Sequence, residues 1–596
     1  MQRRYLLAVV LLPLMFVATR GQIAGIDTPV CNAQFAQLLV QQQVMESGTV
    51  AEPVKRIKIL IRSADFLWKF DQPTARSYFA EAWKMADARF KETGYERKTP
   101  EGKKAGIVTH LPDQRMEVIR AIAKRDSVWA KKLMEQMLAD YEKATDRNGF
   151  DKTRELDDLL YLAQQSVKTD PELTRFLVRR LMRFPLYNHW FFLFYGIAHH
   201  NPTLADALYT ETVQNYRNET PRRLLILSAY PFANERMFGI DKYQLGTELP
   251  PNPIANPTLQ RLFLNTFFNR IAVFAGSEED INRPPEQYSQ PEPVYMVSAL
   301  REIEPIILER LPDLFQRFST AKGQAASLMN DAMQKSLSDK EKQTGSLGQN
   351  FEERLAEVEK ANEEGKLTDS MIVNLLTWGE RSEEQFAQIL PWLDKISEED
   401  PRRETIAYFW FLRAKLAIKQ NRFDDAEKYS AKVPNAAHRA ILMFDVAAVQ
   451  AKNENDMPNL FDTLNRLSKI TRSSDNSVSK AQILLGLANM YERVNHSVAL
   501  DELAESIRVT NSLKDPDIFT TTLRREIVGK DFGFYAVLST PGYDLEKTFE
   551  DLSKKDFEMS LANAKALDDK YFRTLAVIAV AGNCAKNAKP APKQKP

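Results

Sequence analysis

The sequence predicts an all-α protein, an α-solenoid made of antiparallel helical hairpins, and three observations support this prediction. Glycine is scarce, with 21 residues among 596, whereas sheet-rich folds need glycine for hairpins and bulges. Apolar residues recur at helical spacing beside charged faces, which is typical of helices that bury one side. Short stretches with the same order of residue types mark turns between helices along much of the chain.

The chain begins with a segment that has the order of a secretory signal peptide. Arg3 and Arg4 precede an apolar stretch from Leu6 to Ala18, and the small residues Thr19 and Gly21 follow. A basic start, a short apolar core and a small-residue cleavage site are the features of such peptides, and the core is short for a membrane span. We therefore expect cleavage after Gly21 and export to the periplasm or out of the cell. An uncleaved anchor is the alternative.

The most regular feature is a turn signal, an Asp or Asn followed four residues later by a small residue. Asp and Asn side chains accept hydrogen bonds from the free N–H groups at the start of a helix. A small residue in the new helix lets it approach the preceding one closely, so each signal predicts a turn within a helical hairpin. The signals are Asp71 with Ala75, Asp126 with Ala130, Asp170 with Thr174, Asn201 with Ala205, and Asn495 with Ala499.

The residues around Asp126 illustrate how each hairpin is predicted. Met116 and Ile119 lie at helical spacing before it, and Leu133 and Met137 lie at helical spacing after it. Charged residues occupy the other face of both stretches, as expected for amphipathic helices. Asp126 is therefore predicted to be a turn between antiparallel helices.

An irregular, proline-rich insertion interrupts the helical pattern in the middle of the chain. Residues 230–257 carry five prolines, and residues 276–293 form a second irregular stretch. Between them, residues 258–275 have the composition of a buried helix. Long loops in compact proteins are often functional, so these loops are a candidate binding surface. The alternative is a structural insertion or an end-cap between two solenoid halves.

Composition divides the rest of the chain. Residues 322–366 are polar and charged, and we expect a flexible linker followed by a solvated helix from Phe351 to Lys366. The predicted regions are a signal peptide (1–21), an N-terminal helical-repeat region (22–229), Pro-rich loops with buried helices (230–321), a charged linker and helix (322–366), a C-terminal helical-repeat region (367–585) and a disordered basic tail (586–596).

The stretch KQNRFDDAEKYSAKV, residues 419–433, is the most specific turn in the chain. Asn421, Phe423, the acidic pair after it and Ala426 open a second helix. Together with the preceding helix, residues 403–433 resemble a tetratricopeptide repeat. The resemblance implies a stack of helix pairs about 34 residues long, and Ala499 follows Ala426 by 73 residues, close to two such repeats. A generic α-solenoid is the alternative, because a clear tandem consensus is missing.

The sequence predicts no catalytic, cofactor-binding or metal-binding residues. It lacks the GxxxxGK[ST] and GxGxxG phosphate-binding loops and the GxSxG nucleophile elbow. The adjacent pair His199 and His200 has no accompanying HExxH motif, and histidine is favoured at the end of a helix. The aromatic run from Leu186 to Ala198 is expected to be an internal helix, with a stacking platform for a sugar or peptide as the alternative.

The charge balance excludes one class of partner. The chain has 81 basic and 80 acidic residues, whereas domains that bind nucleic acid are usually clearly basic. We therefore expect no nucleic-acid partner. No segment after the signal peptide is long and apolar enough to predict a membrane span.

Two functional classes fit these features. The first is an exported, non-catalytic scaffold whose concave helical surface binds a protein or peptide, as superhelical stacks commonly do. The second is a carbohydrate-active enzyme built on an α/α-toroid or a ring-shaped helical scaffold. We favour the scaffold, because the C-terminal region continues the helical pattern where a ring-shaped transglycosylase would carry a compact catalytic domain.

Cys31 and Cys584 distinguish an open array from a closed one. Stacked repeats contact mainly their neighbours, so an open solenoid would keep its ends apart and leave two free thiols. A closed ring would allow a disulfide, which requires Cα atoms within about 7 Å, and export favours oxidation. We expect the open form.

Overall fold

A computed structural model shows a stack of helical hairpins, which confirms the all-α class and the helical-solenoid architecture. The segment expected to be a signal peptide, most of the first Pro-rich loop and the basic tail after residue 587 lie outside the described residues. The structure describes residues 31–93, 97–98, 109–110, 113–143, 152–187, 189–234, 236–239, 255–282, 290–338, 351–377, 380–514, 516, 518, 522–539 and 544–587.

Helices dominate the first half of the chain. The helices are α1 (Ala33–Ser47), α2 (Pro53–Leu67), α3 (Gln72–Thr93), α4 (Gln114–Ala123), α5 (Ser127–Lys143), α6 (Lys152–Ser166), α7 (Pro171–Leu181), α8 (Trp190–Ala198), α9 (Pro202–Asn215), α10 (Pro221–Leu224), α11 (Pro257–Ala275), α12 (Glu278–Asn282), α13 (Glu292–Arg310), α14 (Phe315–Ser327) and α15 (331–338). Two short strands, β1 (Arg97–Lys98) and β2 (Thr109–His110), pair antiparallel with Arg97 opposite His110.

The second half continues the stack and adds a β-hairpin. Its helices are α16 (Phe351–Glu363), α17 (Asp369–Thr377), α18 (Glu383–Leu393), α19 (Glu399–Lys419), α20 (Phe423–Ser430), α21 (Ala436–Gln450), α22 (Met457–Arg472), α23 (Val478–Tyr491), α24 (His496–Asn511), α25 (Leu545–Leu552), α26 (Phe557–Lys565) and α27 (Lys570–Asn587). The strands β3 (Thr522–Val528) and β4 (Gly533–Ser539) pair antiparallel.

The five predicted capping residues all cap the second helix of a hairpin, so this prediction is confirmed. In each case the carboxylate or amide oxygen accepts a hydrogen bond from the backbone N–H three residues later. The small residues four positions after the caps are all 0% exposed, as close helix approach requires. The accepted bonds are Asp71 from Thr74 at 3.1 Å, Asp126 from Trp129 at 2.9 Å, Asp170 from Leu173 at 2.8 Å, Asn201 from Leu204 at 3.0 Å, and Asn495 from Val498 at 3.2 Å.

The same turn occurs at Asp556, where the sequence pattern was not singled out. Asp556 Oδ1 accepts a hydrogen bond from the Met559 N–H at 2.9 Å, and Ser560, four residues after the cap, is fully buried. Its serine takes the place of the usual alanine. This turn joins α25 to α26 near the end of the stack.

The apolar side chains form successive cores along the stack. One core extends from α2 to α15 and includes Ile57 and Leu337. Another joins α16 through α21 to strand β3. A third joins α21 through α27 to residues of α1 and α2, including Ile59. Helix α2 is therefore buried on two sides and connects the two halves of the protein.

The expectation that the ends of the chain stay apart is wrong. Helix α1 packs along α27, and Cys31 and Cys584 form a disulfide with their Cα atoms 5.1 Å apart. The Lys570 Nζ donates a hydrogen bond to Thr49 Oγ1 at 2.6 Å across the same junction. The rule that repeats contact their neighbours still holds, because the first and last hairpins are themselves neighbours. In space, the stack runs from α16 to α27 and continues through α1 and α2 towards α15.

The β3–β4 hairpin was not predicted, because the C-terminal region was expected to be helical hairpins throughout. Ile527 of β3 is fully buried in the core around α19 and pairs with Phe534 of β4. The Phe534 ring lies 5.3 Å from the ring of Tyr408 on α19. The hairpin therefore returns to a helix that precedes it by more than one hundred residues.

Three further helical predictions have outcomes. Helix α11 covers the segment expected to be a buried helix, and the aromatic run forms α8, in which Trp190 and Phe194 are buried. Helix α16 is amphipathic rather than solvated on all sides, because Phe351 and Val358 enter a core. Residues 322–338, expected to begin a linker, include the end of α14 and helix α15, whose Leu337 is buried. The remaining region boundaries stay predictions.

Candidate functional site

Three consecutive helix pairs in the second half, α19 with α20, α21 with α22 and α23 with α24, form the part of the stack that carries the candidate site. Their second helices, α20, α22 and α24, are separated by concave surfaces. We call the surface over α21 and between α20 and α22 the first groove, and its cavity volume is ≈ 310 Å³. We call the surface between α22 and α24 the second groove.

The floor of the first groove is apolar. Leu442 and Val446 of α21 lie four residues apart on one helical face, and both line the groove. Ala426, the alanine of the tetratricopeptide-like turn, lines it from α20. Helical spacing places side chains four apart on one face, so the same stripe that packs α21 into the core also forms this floor.

Two polar side chains interrupt the apolar floor. Gln450 continues the stripe of Leu442 and Val446 by one more step of four residues, and it is 5% exposed. Thr463 of α22 also lines the groove and is 3% exposed. Gln450 Oε1 and Thr463 Oγ1 have no hydrogen-bond partner among the described residues. A buried polar atom without a hydrogen bond lowers the stability of the fold by about 1–3 kcal/mol.

The rim of the first groove is negatively charged. Asp424 and Glu427 of α20 and Asp462 of α22 line it, with Arg466 of α22 as the one cationic lining residue. Arg466 Nη1 lies 2.9 Å from Glu427 Oε2, and both side chains are about half exposed, so this pair contributes little to stability. The pair neutralises one carboxylate. The two aspartates give the groove a net negative charge that would attract cations.

The second groove has a related composition. Asp501, Glu502 and Glu505 line it together with Arg472 and Arg508. Its cavity volume is ≈ 570 Å³, and it is more open to solvent than the first groove.

Glu502 is the buried residue of the second groove, at 2% exposure. Its Oε1 accepts hydrogen bonds from Ser468 Oγ at 2.5 Å and from Arg472 Nε at 3.2 Å, whereas its Oε2 is buried without a partner. At the rim, the hydrogen bond from Arg508 lowers the pKa of Glu505. Both grooves therefore combine an acidic lining with a buried oxygen that lacks a donor.

The β3–β4 hairpin lies against α19 and α21, the first helices of two of the pairs. Arg525 is buried, its guanidinium lies 5.3 Å from the ring of Tyr408, and its Nη2 donates to the Glu404 carbonyl at 3.3 Å. Its Nη1 donates to His438 Nδ1 at 3.3 Å. Burial, with the Arg525 charge as the second cause, lowers the pKa of His438 to about 4. Neither groove is lined by a described residue of the hairpin.

The predicted capping residues and the histidine pair lie outside both grooves and have structural positions. The capping residues lie at helix starts, and none of them lines either groove. His199 and His200 end α8 with their rings 4.5 Å apart. Within the part of the chain that the structure describes, no group of three or more His, Cys, Asp or Glu side chains is placed to hold a metal ion. Among the described helices, none is long and apolar enough to cross a membrane.

Only the part of the first groove formed by α20 could be recognised in the sequence. Asp424 and Ala426 were noted as parts of the tetratricopeptide-like turn. One further local signal is Gln450, a polar residue at the end of an apolar stripe with four-residue spacing. Thr463 and Glu502 gave no such local signal, because their burial depends on helices that are distant in sequence.

The helix packing defines the class of this protein, a helical-repeat protein of the solenoid type. No protein-family model matches the chain, and no curated protein matches it. A comparison with solved structures finds a protein described as a "Circular tandem repeat protein with novel repeat topology and enhanced subunit contact surfaces". The two are 12% identical over 91% of this chain and 96% of that chain, with a TM-score of 0.11. The packing of the helices themselves defines the solenoid class.

Proposed function

We propose that this protein is an exported, non-catalytic helical-repeat scaffold that binds a segment of a partner protein or peptide in the first groove. The observation that supports this most directly is the pair of buried oxygens, on Gln450 and Thr463, which have no hydrogen-bond partner among the described residues and lie beside the apolar floor of this groove. Binding sites commonly have apolar walls with a few polar groups that fix the orientation of the ligand.

We further propose that α19 to α24 are three degenerate tetratricopeptide-like repeats. Ala426, Leu460 and Ala499 are each the fourth residue of a second helix, and each is buried. They are separated by 34 and 39 residues, near the length of that repeat. A leucine at the middle position explains why the tandem pattern is hidden in the sequence.

Export is proposed from two features that support each other. The N-terminal segment has the composition of a signal peptide, and its removal would leave Cys31 near the start of the mature chain. Structural disulfides persist mainly in oxidising compartments, and the Cys31–Cys584 pair suits such a compartment. Mass spectrometry of the mature N-terminus tests this proposal, and a chain that retains Met1 in the cytoplasm would contradict it.

Site-specific photo-crosslinking tests binding in the first groove. Asn459 is an exposed residue that lines the first groove. Val273 is an exposed residue on α11, in the first half of the chain and outside the groove. The photoreactive amino acid p-benzoylphenylalanine would replace each of them in turn in the full chain, in cells that make the protein. We expect a discrete crosslinked product from position 459 and none from position 273. Equal products at both positions, or none at either, would contradict the proposal.

A carbohydrate-active enzyme on a ring-shaped helical scaffold is the second candidate, favoured by one carboxylic acid, Glu546, near the junction of the two chain ends. Such enzymes use a carboxylic acid with a raised pKa as the general acid. Burial raises the pKa of Glu546, which lies 3.1 Å from Arg62 at this junction. Incubation of the purified protein with peptidoglycan would release soluble fragments in the wild type and not in Glu546→Gln. No release from either protein would reject the enzyme.

A further inference from the structure

We infer that the first groove recognises a cationic side chain, that of lysine or arginine, on an extended segment of the partner. This inference rests on the proposed function and adds the chemistry of the ligand to it.

The first observation that supports this inference is the charge of the residues that line the first groove. Asp424, Glu427 and Asp462 outnumber Arg466 in the lining, and Arg466 is already paired with Glu427. Asp424 and Asp462 lie on opposite helices, α20 and α22, so they face the groove from two sides. Bringing a cation between two like charges relieves their repulsion as well as adding attraction. An acidic partner segment would instead meet a third like charge.

The second observation is the pair of buried oxygens, which supports the inference independently of the charges on the rim. Gln450 Oε1 is an acceptor, and Thr463 Oγ1 can accept as well as donate; both lack partners. A lysine ammonium carries three donors and an arginine guanidinium five, so either group has a donor to offer each oxygen. A carboxylate ligand has no donor to offer Gln450 Oε1.

The third observation is the apolar floor. Lysine and arginine bury their methylene stems along apolar surface and extend the charged end to polar groups. Leu442 and Val446 form such a surface, and Gln450 lies one helical step beyond them. Along α21 the groove therefore offers two apolar contacts and, one helical step further, an acceptor, which suits a side chain with an apolar stem and a cationic end.

The second groove repeats this chemistry. Glu502 Oε2 is buried without a partner, and Asp501 and Glu505 lie in the same lining. Two arginines offset most of that charge, so we expect the second groove to bind a cation more weakly than the first. A partner segment with two basic residues would cross α22 and engage the grooves on both of its sides.

Capped pentapeptides test the preference directly. The probes are acetyl-Gly-Ala-Lys-Ala-Gly-amide and the same peptide with norleucine or glutamate in place of lysine, titrated into the full chain with its disulfide intact. We expect the norleucine peptide to bind about tenfold more weakly, since charge-assisted hydrogen bonds are the stronger kind. The glutamate peptide should bind least. Equal affinity for all three would overturn the inference.

Variants assign the preference to the first groove. Asp424→Asn combined with Asp462→Asn removes two exposed charges and should weaken lysine-peptide binding about tenfold, while norleucine-peptide binding stays unchanged. Glu357→Gln combined with Glu359→Gln removes two exposed charges from α16 and is the matched control. An equal loss in both double variants, or in neither, would overturn the inference. A crosslink at position 459 without a lysine preference would reject this inference alone, whereas loss of both would reject the proposed function too.

Discussion

At the scale of single residues, the recurring turn is explained by one short side chain. The Asp126 N–H donates to the Ile122 carbonyl at 2.7 Å, which ends α4, while the Asp126 carboxylate caps α5. The carboxylate also pairs with Arg76, whose guanidinium lies 5.2 Å from the ring of Trp68. One residue therefore ends a helix, begins the next and contacts the preceding hairpin.

Asp126→Ala should lower the free energy of unfolding by about 1 kcal/mol, the usual cost of losing a capping side chain. The far-ultraviolet circular dichroism spectrum should be unchanged, because the other hydrogen bonds of both helices remain. Chemical denaturation measures the first effect. Asp126→Asn is the control, since asparagine also caps helices and loses only the charge. Equal destabilisation by the two variants would show that the ion pair with Arg76, and not the cap, is responsible.

His438 makes stability depend on pH. Its pKa is lowered from 6.5 to about 4 by burial and by Arg525, which faces its Nδ1, while the Phe411 ring packs against it. The unfolded chain therefore binds more protons than the folded chain between these values, and stability falls as pH drops from about 6.5 towards 4. Denaturation at pH 7.5 and pH 5 should show a smaller loss for His438→Phe than for the wild type. An identical loss would contradict this assignment.

At the scale of elements, structure that depends on neighbouring residues could be predicted from the sequence, whereas structure that depends on distant residues could not. The caps could be predicted because a capping side chain acts within three residues of itself. The β3–β4 hairpin was hidden because its buried face carries Arg525 beside Ile527, so the alternation of apolar and polar residues is broken. The first groove was largely hidden because three helices from two neighbouring pairs form it. Helix α19 itself was expected, yet its contact with the hairpin depends on residues more than one hundred positions away.

Arg525→Ala should loosen the hairpin without unfolding the stack. The change removes hydrogen bonds to the Glu404 carbonyl and to His438 and leaves a gap beside Tyr408. We expect faster hydrogen exchange in residues 522–539 and unchanged exchange in α22 and α23. Arg508→Ala, a change at an exposed arginine on α24, is the control and should leave the hairpin unchanged. Faster exchange throughout the second half would contradict a local role for Arg525.

At the scale of the whole molecule, the order of hairpins in space differs from their order in the chain. The helices from α16 to α27 are followed in space by α1 and α2, so the two ends of the described chain meet inside the stack. Composition and turn signals predicted the helical hairpins but gave no information on this junction. Nothing local to Cys31 or Cys584 indicates the partner, because their proximity results from the packing of α1 along α27, two helices at opposite ends of the described chain.

Replacing Cys31 and Cys584 with serine should destabilise the protein by about 2–5 kcal/mol, the range for removal of a native disulfide. Labelling of the denatured, unreduced wild type should detect no free thiol, and thermal denaturation of the double variant should show the lower midpoint. The single variant Cys31→Ser should match the double variant in stability and expose one thiol. Two labelled cysteines in an unreduced wild-type monomer would contradict the bridge.

The junction also determines how the protein responds to mechanical force. A pull on the residues before Cys31 and after Cys584 would load the sulfur–sulfur bond and the short segments outside it. The 553-residue separation between the two cysteines corresponds to roughly 180–200 nm of extended chain, and all of it would be shielded from tension. After reduction, the same pull would separate α1 from α27. The hairpins on each side of this junction would then unfold one after another, beginning with those nearest to it. The redox state of one bond therefore determines whether the array behaves as a rigid link or as an extensible spring.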